Sequence, residues 1–61
     1  METIYTAHEV AKILKTGYRK ILKEITLGKL EAFKIGSHFR ITEEQLNNYI
    51  QKNKYATHNF K

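Results

Sequence analysis

Two short amphipathic segments, separated by a break of about three residues, constrain the fold of this chain more than any other feature. In the first segment the apolar residues recur at helical spacing, at Ala7, Val10, Ala11 and Leu14. The break spans residues 15–17, where Gly17 can cap a helix or take a positive φ, so a sharp change of direction is easily made. Two short helices joined in this way are typical of a helix-turn-helix. An ordinary helical hairpin with a solvated basic face fits the same spacing.

Three local signals mark where these two helices begin or end and predict a third helix. Thr6 and Glu9 have the spacing of a capping box, in which each side chain accepts a hydrogen bond from the other residue's amide. Gly28 is placed to end the second helix as a C′ glycine. Thr42 and Gln45 form a second capping box, which opens a helix that runs to about residue 52. The apolar face of that helix comprises Leu46, Tyr49 and Ile50.

The segment before the last helix predicts a β-hairpin over residues 30–41, because its apolar residues alternate and residues 36–38 have the composition of a turn. One side of its first strand carries Phe33 and Ile35, and the other carries Leu30 and Ala32. We expect the core to receive Phe33, Ile35, Phe39 and Ile41. With residues 1–5 as an extended lead-in, the predicted order is helix, turn, helix, two-stranded wing, helix, which makes a compact α+β winged domain.

Length and composition exclude several classes of protein. A chain of 61 residues forms one domain near the lower limit for folding without disulfides or metal, with little room for a buried catalytic pocket. It contains no Cys, which excludes a disulfide framework and a thiolate metal site and favours a reducing cytoplasm. No apolar run approaches the roughly 20 residues that span a bilayer, and no apolar signal-peptide segment follows Met1. We therefore expect a cytoplasmic protein without membrane or targeting segments.

Positive charge is concentrated in the middle of the chain. The formal net charge is +5, whereas residues 12–40 hold eight Lys or Arg and only two acids, Glu24 and Glu31. Focused positive charge suits a polyanion, most often nucleic acid, and predicts salt-dependent binding. A solvated basic surface, common in small Lys-rich proteins, gives the same distribution. The three His are far apart in sequence, and no Ser-His-acid set or phosphate-binding P-loop is recognisable, so we expect no catalysis, metal site or cofactor.

A longer set of motifs runs in order along residues 5–50. It consists of Tyr5, Thr6, Glu9, Val10, Ala11 and Leu14, then Ile25, Gly28, Leu30, Ala32, Lys34, Ile35 and Gly36, and finally Arg40, Ile41, Leu46 and Tyr49. This ordered set resembles the small MerR-like winged helix-turn-helix proteins, a group to which phage, plasmid and transposon excisionases belong. The chain departs from the family pattern at two positions, with Gly17 where Ser or Thr is usual and Glu24 where an apolar residue is common.

The resemblance implies a non-enzymatic DNA-binding module with a winged helix-turn-helix fold. In such a module the second helix enters the major groove, and the wing reaches the backbone or the minor groove. The turn and the first turn of the second helix then contact double-stranded DNA, which corresponds here to Thr16, Gly17, Tyr18, Arg19 and Lys20. Lys34 and Arg40 match the basic positions of the wing.

The candidate residues of the second helix have more than one interpretation. Arg19 is suited to a bidentate contact with a guanine edge, whereas Lys20 acts mainly as a mobile charge. Lys23 is placed to contact a phosphate, with a solvated side chain as the alternative. Tyr18 shares the spacing of the apolar side, so it either caps the core or faces the DNA.

The wing offers a second set of candidates. Arg40 is placed for a phosphate or minor-groove contact. Ser37 and His38 lie at the predicted tip, where a protonated His can donate to a phosphate but most exposed His do nothing specific. Lys34 either flanks the DNA backbone or is a solvated strand lysine.

The leading hypothesis is an excisionase-like protein that binds tandem DNA sites beside copies of itself, bends the DNA and helps an integrase to excise a mobile element. A small transcriptional regulator of a phage, plasmid or transposon is the first alternative. A protein-interaction adaptor, whose basic face meets an acidic protein, is the second. We expect the DNA-binding domain to span residues 1–52 and a flexible tail to follow over residues 53–61. No small-molecule substrate is expected.

Overall fold

The computed structural model describes residues 2–54, which form three helices and three short strands. In chain order these are β1 (Ile4–Thr6), α1 (Ala7–Ile13), α2 (Tyr18–Thr26), β2 (Phe33–Ile35), β3 (His38–Thr42) and α3 (Glu43–Lys52). The predicted α+β winged helix-turn-helix fold is confirmed. The last helix ends where the sequence predicts, whereas residues 55–61 of the predicted tail lie outside the described residues.

The strands form one antiparallel sheet in the order β1-β3-β2. The predicted hairpin of β2 and β3 is present, and Gly36 has a φ of 62° at the first position of its two-residue turn, as a type II′ turn requires. Residues 4 and 5 of the predicted extended lead-in belong to β1. The pairing of β1 with β3, which sets Tyr5 opposite Ile41, was not predicted and makes the wing part of a three-stranded sheet. Because this pair is antiparallel, α1 and α3 leave the sheet at opposite ends of the pair, α1 after Thr6 and α3 after Thr42.

Both capping boxes form as predicted. The Thr6 hydroxyl accepts from the Glu9 amide at 3.0 Å, and the Glu9 carboxylate accepts from the Thr6 amide at 2.8 Å. The same two bonds join Thr42 and Gln45, at 3.0 and 2.9 Å. Because β1 and β3 each end at the N-cap residue of the next helix, these boxes fix the points at which α1 and α3 leave the sheet.

A small core lies between the sheet and the helices. Within residues 2–54 its buried apolar side chains are Ala7, Val10, Ala11, Ile21, Leu30, Ile41 and Leu46. The apolar stripe predicted on α1 is therefore confirmed. The half-buried residues around it include Tyr5, Leu14, Leu22, Ile25 and Tyr49.

The predicted buried face of the wing is wrong for most of its residues. Ile41 is fully buried, but Ile35 is 60% exposed and Phe33 and Phe39 are only half-buried. The register pairs Phe33 and Ile35 with residues of β3 that alternate with Ile41, so both side chains lie on the opposite face of the sheet. Leu30 takes their place in the core, in the segment before β2, which begins at residue 33 rather than 30.

The break between α1 and α2 is a Schellman motif with Lys15 at its left-handed position. The Thr16 amide donates to the Ala11 carbonyl at 2.9 Å, and the Lys15 amide donates to the Lys12 carbonyl at 3.1 Å. Lys15 has a φ of 56°, which favours glycine. Gly17 does not supply the positive φ; it has a φ of −77° and is the N-cap of α2, without a side-chain hydrogen bond.

The end of α2 has the same motif with the predicted glycine in place. Gly28 has a φ of 79°, and its amide donates to the Ile25 carbonyl at 3.0 Å. The Lys29 amide donates to the Glu24 carbonyl at 2.9 Å. The C-terminal ends of α1 and α2 thus differ in one respect: the left-handed position after α1 is held by a residue with a Cβ, whereas the one after α2 is held by glycine.

Replacing Lys15 by glycine is expected to raise the free energy of unfolding by up to about 1 kcal/mol, because it relieves the left-handed strain of a side-chain-bearing residue. Urea denaturation measures the change. Lys15→Ala is the control, since it removes the same charge but keeps the Cβ. Equal stabilities for the two variants would show that the strain contributes nothing.

Candidate nucleic-acid interface

The second helix exposes a row of cations. Arg19, Lys20 and Lys23 of α2 are exposed, whereas Ile21 and Glu24 of the same helix are buried. This separation fixes the roll of α2 about its axis and leaves the basic side chains exposed to solvent. The other candidates of this region, Thr16, Gly17 and Tyr18, are exposed as well.

Glu24 joins α2 to the last helix. Its side chain is 9% exposed, and its carboxylate accepts a hydrogen bond from the Tyr49 hydroxyl at 2.9 Å. The Lys20 ammonium lies 4.0 Å from the other carboxylate oxygen. A buried carboxylate is tolerated where it has such partners. The position at which the family commonly has an apolar residue is therefore buried here as well, but it holds a partnered charge.

Burial raises the pKa of the Tyr49 phenol above its ordinary value of 10.0, and the hydrogen bond to Glu24 and the charge of its carboxylate raise it further. The folded protein therefore holds the phenolic proton more tightly than the unfolded chain does. The resulting stabilisation is complete below about pH 10 and is lost as the pH rises through the folded pKa.

We accordingly expect the free energy of unfolding of the wild type to fall more steeply above about pH 10 than that of Tyr49→Phe, which has no phenolic proton to lose. Urea denaturation at a series of alkaline pH values gives both curves. Tyr18→Phe is the control for the loss of a phenol, because it keeps Tyr49 and the hydrogen bond to Glu24. Parallel curves for the wild type and Tyr49→Phe would contradict the prediction.

His8 and Tyr18 stack face to face between α1 and α2. Their ring centroids are 3.7 Å apart and their planes differ by 3°. Tyr18 is 38% exposed, so it does not fill the core; its ring instead covers the start of α1. Sequence reasoning missed His8, which lies on the polar side of a helix and has no motif around it. The stack follows from how the two helices meet.

A groove of about 210 Å³ separates the helices from the wing. Its helix side is lined by His8, Tyr18 and Leu22, and its wing side by Ser37, His38 and Arg40. No described residue that lines it is acidic. One guanidinium nitrogen of Arg40 donates to the Phe39 carbonyl at 3.0 Å, which leaves other donors of the fork available. The fold thus brings predicted residues of the helix and of the wing to one cleft.

Lys34 is not part of this groove. It pairs with Phe39 in the sheet, and its ammonium lies 5.1 Å from the centroid of the Phe39 ring, within cation–π range. Arg40 alternates with Phe39 along β3, so its side chain belongs to the other face of the hairpin. The two basic residues predicted on the wing are therefore not brought together.

The family assignment rests on the whole described domain. The helix-turn-helix domain family matches residues 4–54, from β1 to just beyond the end of α3. The chain belongs to the helix-turn-helix domain family. No curated protein and no solved structure matches the chain.

Membership of the helix-turn-helix domain family indicates sequence-specific DNA binding, with DNA as the partner. Within this domain α2 is the second helix of the helix-turn-helix motif, and in DNA complexes of proteins with this motif the second helix lies in the major groove. The cations of α2 and the donors of the groove suit phosphate oxygens and base edges. Over residues 2–54, no set of three His or acidic side chains converges to hold a metal ion, and no helix is long and apolar enough to cross a membrane.

Proposed function

We propose that this helix-turn-helix protein is an excisionase-like factor that binds DNA through α2 and the wing and bends it for a recombinase. One observation carries the docking face: α2 exposes Arg19, Lys20 and Lys23 while it buries Ile21 and Glu24. The family includes excisionase-like proteins, and the resemblance over residues 5–50 favours that branch.

The exposed side of α2 divides into two kinds of contact. Arg19, in the first turn, presents a planar fork that matches the O6 and N7 atoms of guanine in the major groove. Lys23, one turn later, presents a point charge that suits a phosphate. Lys20 lies between them, and its ammonium forms an ion pair with the Glu24 carboxylate at 4.0 Å. We therefore assign most of the sequence preference to Arg19.

The size of the domain favours action in several copies. One small module buries only about 600–1,000 Å² on DNA, which limits the specificity that a single copy reaches. Neighbouring copies on tandem sites, beside an integrase, supply the remaining specificity. In this role the protein is not an enzyme. It acts in the cytoplasm, where such DNA is accessible.

Recombination of a supercoiled substrate by the cognate integrase tests the excisionase role. We expect excision to rise when the wild type is added and to fall back with Arg19→Ala. Unchanged excision by a protein that still binds DNA would overturn this role and favour a small transcriptional regulator.

Binding to random duplex DNA across salt tests the docking itself. With about five phosphates contacted, log affinity should fall with log salt at a slope near −4.5. A flat response, or no binding at low salt, would overturn DNA binding and favour a protein-interaction adaptor.

A further inference from the structure

The groove between the helices and the wing has the composition of an anion site. We propose that it holds one phosphate of the DNA backbone and that His8, in its protonated form, is one of the groups that contact it. This inference rests on the proposed DNA binding and adds to it a residue outside α2 and the wing.

The groove has the size and the donors that a phosphate needs. Its volume of about 210 Å³ exceeds several times the roughly 30 Å³ that one water molecule occupies in the liquid, so a tetrahedral phosphate group fits. Ser37 and Tyr18 bring hydroxyl donors, and Arg40 brings guanidinium donors beyond the one that the Phe39 carbonyl accepts. The described lining contains no acid to repel the anion.

His8 is held in the wall of the groove by its neighbours. Its ring lies flat against Tyr18 at 3.7 Å, so the ring edge, which carries both nitrogens, is left to make polar contacts. The charged or titratable groups facing it across the groove are His38 and Arg40, and Tyr18 is the one on α2. On its own helix Glu9 is bonded into the N-terminal capping box, and Lys12 lies one turn further on.

A bound phosphate links the charge of these histidines to DNA affinity. Histidine changes charge between about pH 5 and pH 8, and a nearby phosphate favours the charged form. DNA binding therefore takes up protons, and affinity rises as the pH falls. Each protonated histidine that meets a phosphate releases one more counterion, which steepens the slope of log affinity against log salt by about 0.9.

Fluorescence anisotropy of a labelled random-sequence duplex, titrated at several salt concentrations at about pH 5.5 and about pH 8, tests the proposal. For the wild type we expect a steeper salt slope at the lower pH, by about 0.9 for each of His8 and His38 that is protonated on the DNA. His8→Gln should remove about 0.9 of that difference and leave the slope at the higher pH unchanged.

His8→Phe separates charge from packing, because phenylalanine can stack on Tyr18 but cannot carry a proton. His8→Phe should lose the same share of the pH-dependent difference in salt slope as His8→Gln. His38→Gln should lose only the share of that difference that His38 contributes. Circular dichroism confirms that each variant is folded before binding is measured.

Two results would overturn the phosphate site while leaving DNA binding intact: an equal salt slope at both pH values for the wild type, or a His8→Phe variant with the pH response of the wild type. Absence of DNA binding by the wild type at low salt and at either pH would instead overturn the proposed function itself.

Discussion

Ile41→Ala is expected to lower the free energy of unfolding by about 2–5 kcal/mol, the range for deleting a large aliphatic side chain from a core. Ile41 is 0% exposed in the central strand of the sheet, opposite Tyr5 of β1. A domain of this size rarely has more than about 3–5 kcal/mol of stability from its core. We therefore expect most of the variant to be unfolded at 25 °C.

Ile35→Ala is the matched control, because it makes the same chemical change in the neighbouring strand, where the side chain is 60% exposed. It should change the free energy of unfolding by no more than about 0.5 kcal/mol. Ile41→Val, with an expected loss of about 0.5–1.5 kcal/mol, stays folded and allows a urea curve to be measured. Similar losses for the two alanine variants would contradict the burial of Ile41.

Arg19→Ala is expected to weaken binding to a selected DNA site by about 1–3 kcal/mol, because a bidentate contact with a base is lost. At about 1.4 kcal/mol for each factor of ten, this is roughly a 5- to 140-fold rise in Kd. The variant should also accept more bases at one position of the site. Arg19 is exposed on α2, so its removal leaves the core unchanged.

Arg40→Ala is the comparison, since it removes a cation from the groove rather than from α2. It should weaken specific and random DNA to a similar degree and make the salt slope shallower by about 0.9. Anisotropy titrations with both duplexes separate the two patterns. If Arg19→Ala and Arg40→Ala both bind like the wild type while folded, the docking face is wrong.

Local chemistry accounts for the part of the fold that the sequence predicts. The capping boxes at Thr6 and Thr42 and the C′ glycine at Gly28 each depend on residues within one or two turns, and all three form. For Gly17 the same reasoning allowed either a helix cap or a positive φ, and Gly17 is the N-cap of α2, without a positive φ. The helical hydrogen bonds require it at Lys15 instead, and the surrounding structure overrides the preference of the residue.

Long-range contacts account for what the sequence does not reveal. The alternation in the wing is compatible with burial of either side, and the choice depends on where the helices lie. The pairing of β1 with β3 and the burial of Leu30 settle that choice against Phe33 and Ile35. A hydrophobic pattern of period two gives two faces without saying which one meets the core.

For the candidate interface too, the sequence predicts the local features but not the contacts between elements. Charge and spacing identified Arg19, Lys20 and Lys23, which are on the exposed side of α2. The stack of His8 on Tyr18 was beyond sequence reasoning, because it depends on the angle at which two helices meet. The departure of Glu24 from the family pattern marked it as unusual in the sequence. Its hydrogen bond with Tyr49 could not be predicted, because Tyr49 lies in another helix.

We expect the first turn of α2 and the wing side of the groove to form the DNA-binding face. Titration of ¹⁵N-labelled protein with a short duplex recovered by selection from random sequences measures this through the amide shifts of the described residues. The largest shifts should occur at residues 17–20 and 37–40, with little change at residues 47–51 of α3. Large shifts confined to α3, with residues 17–20 unperturbed, would contradict it.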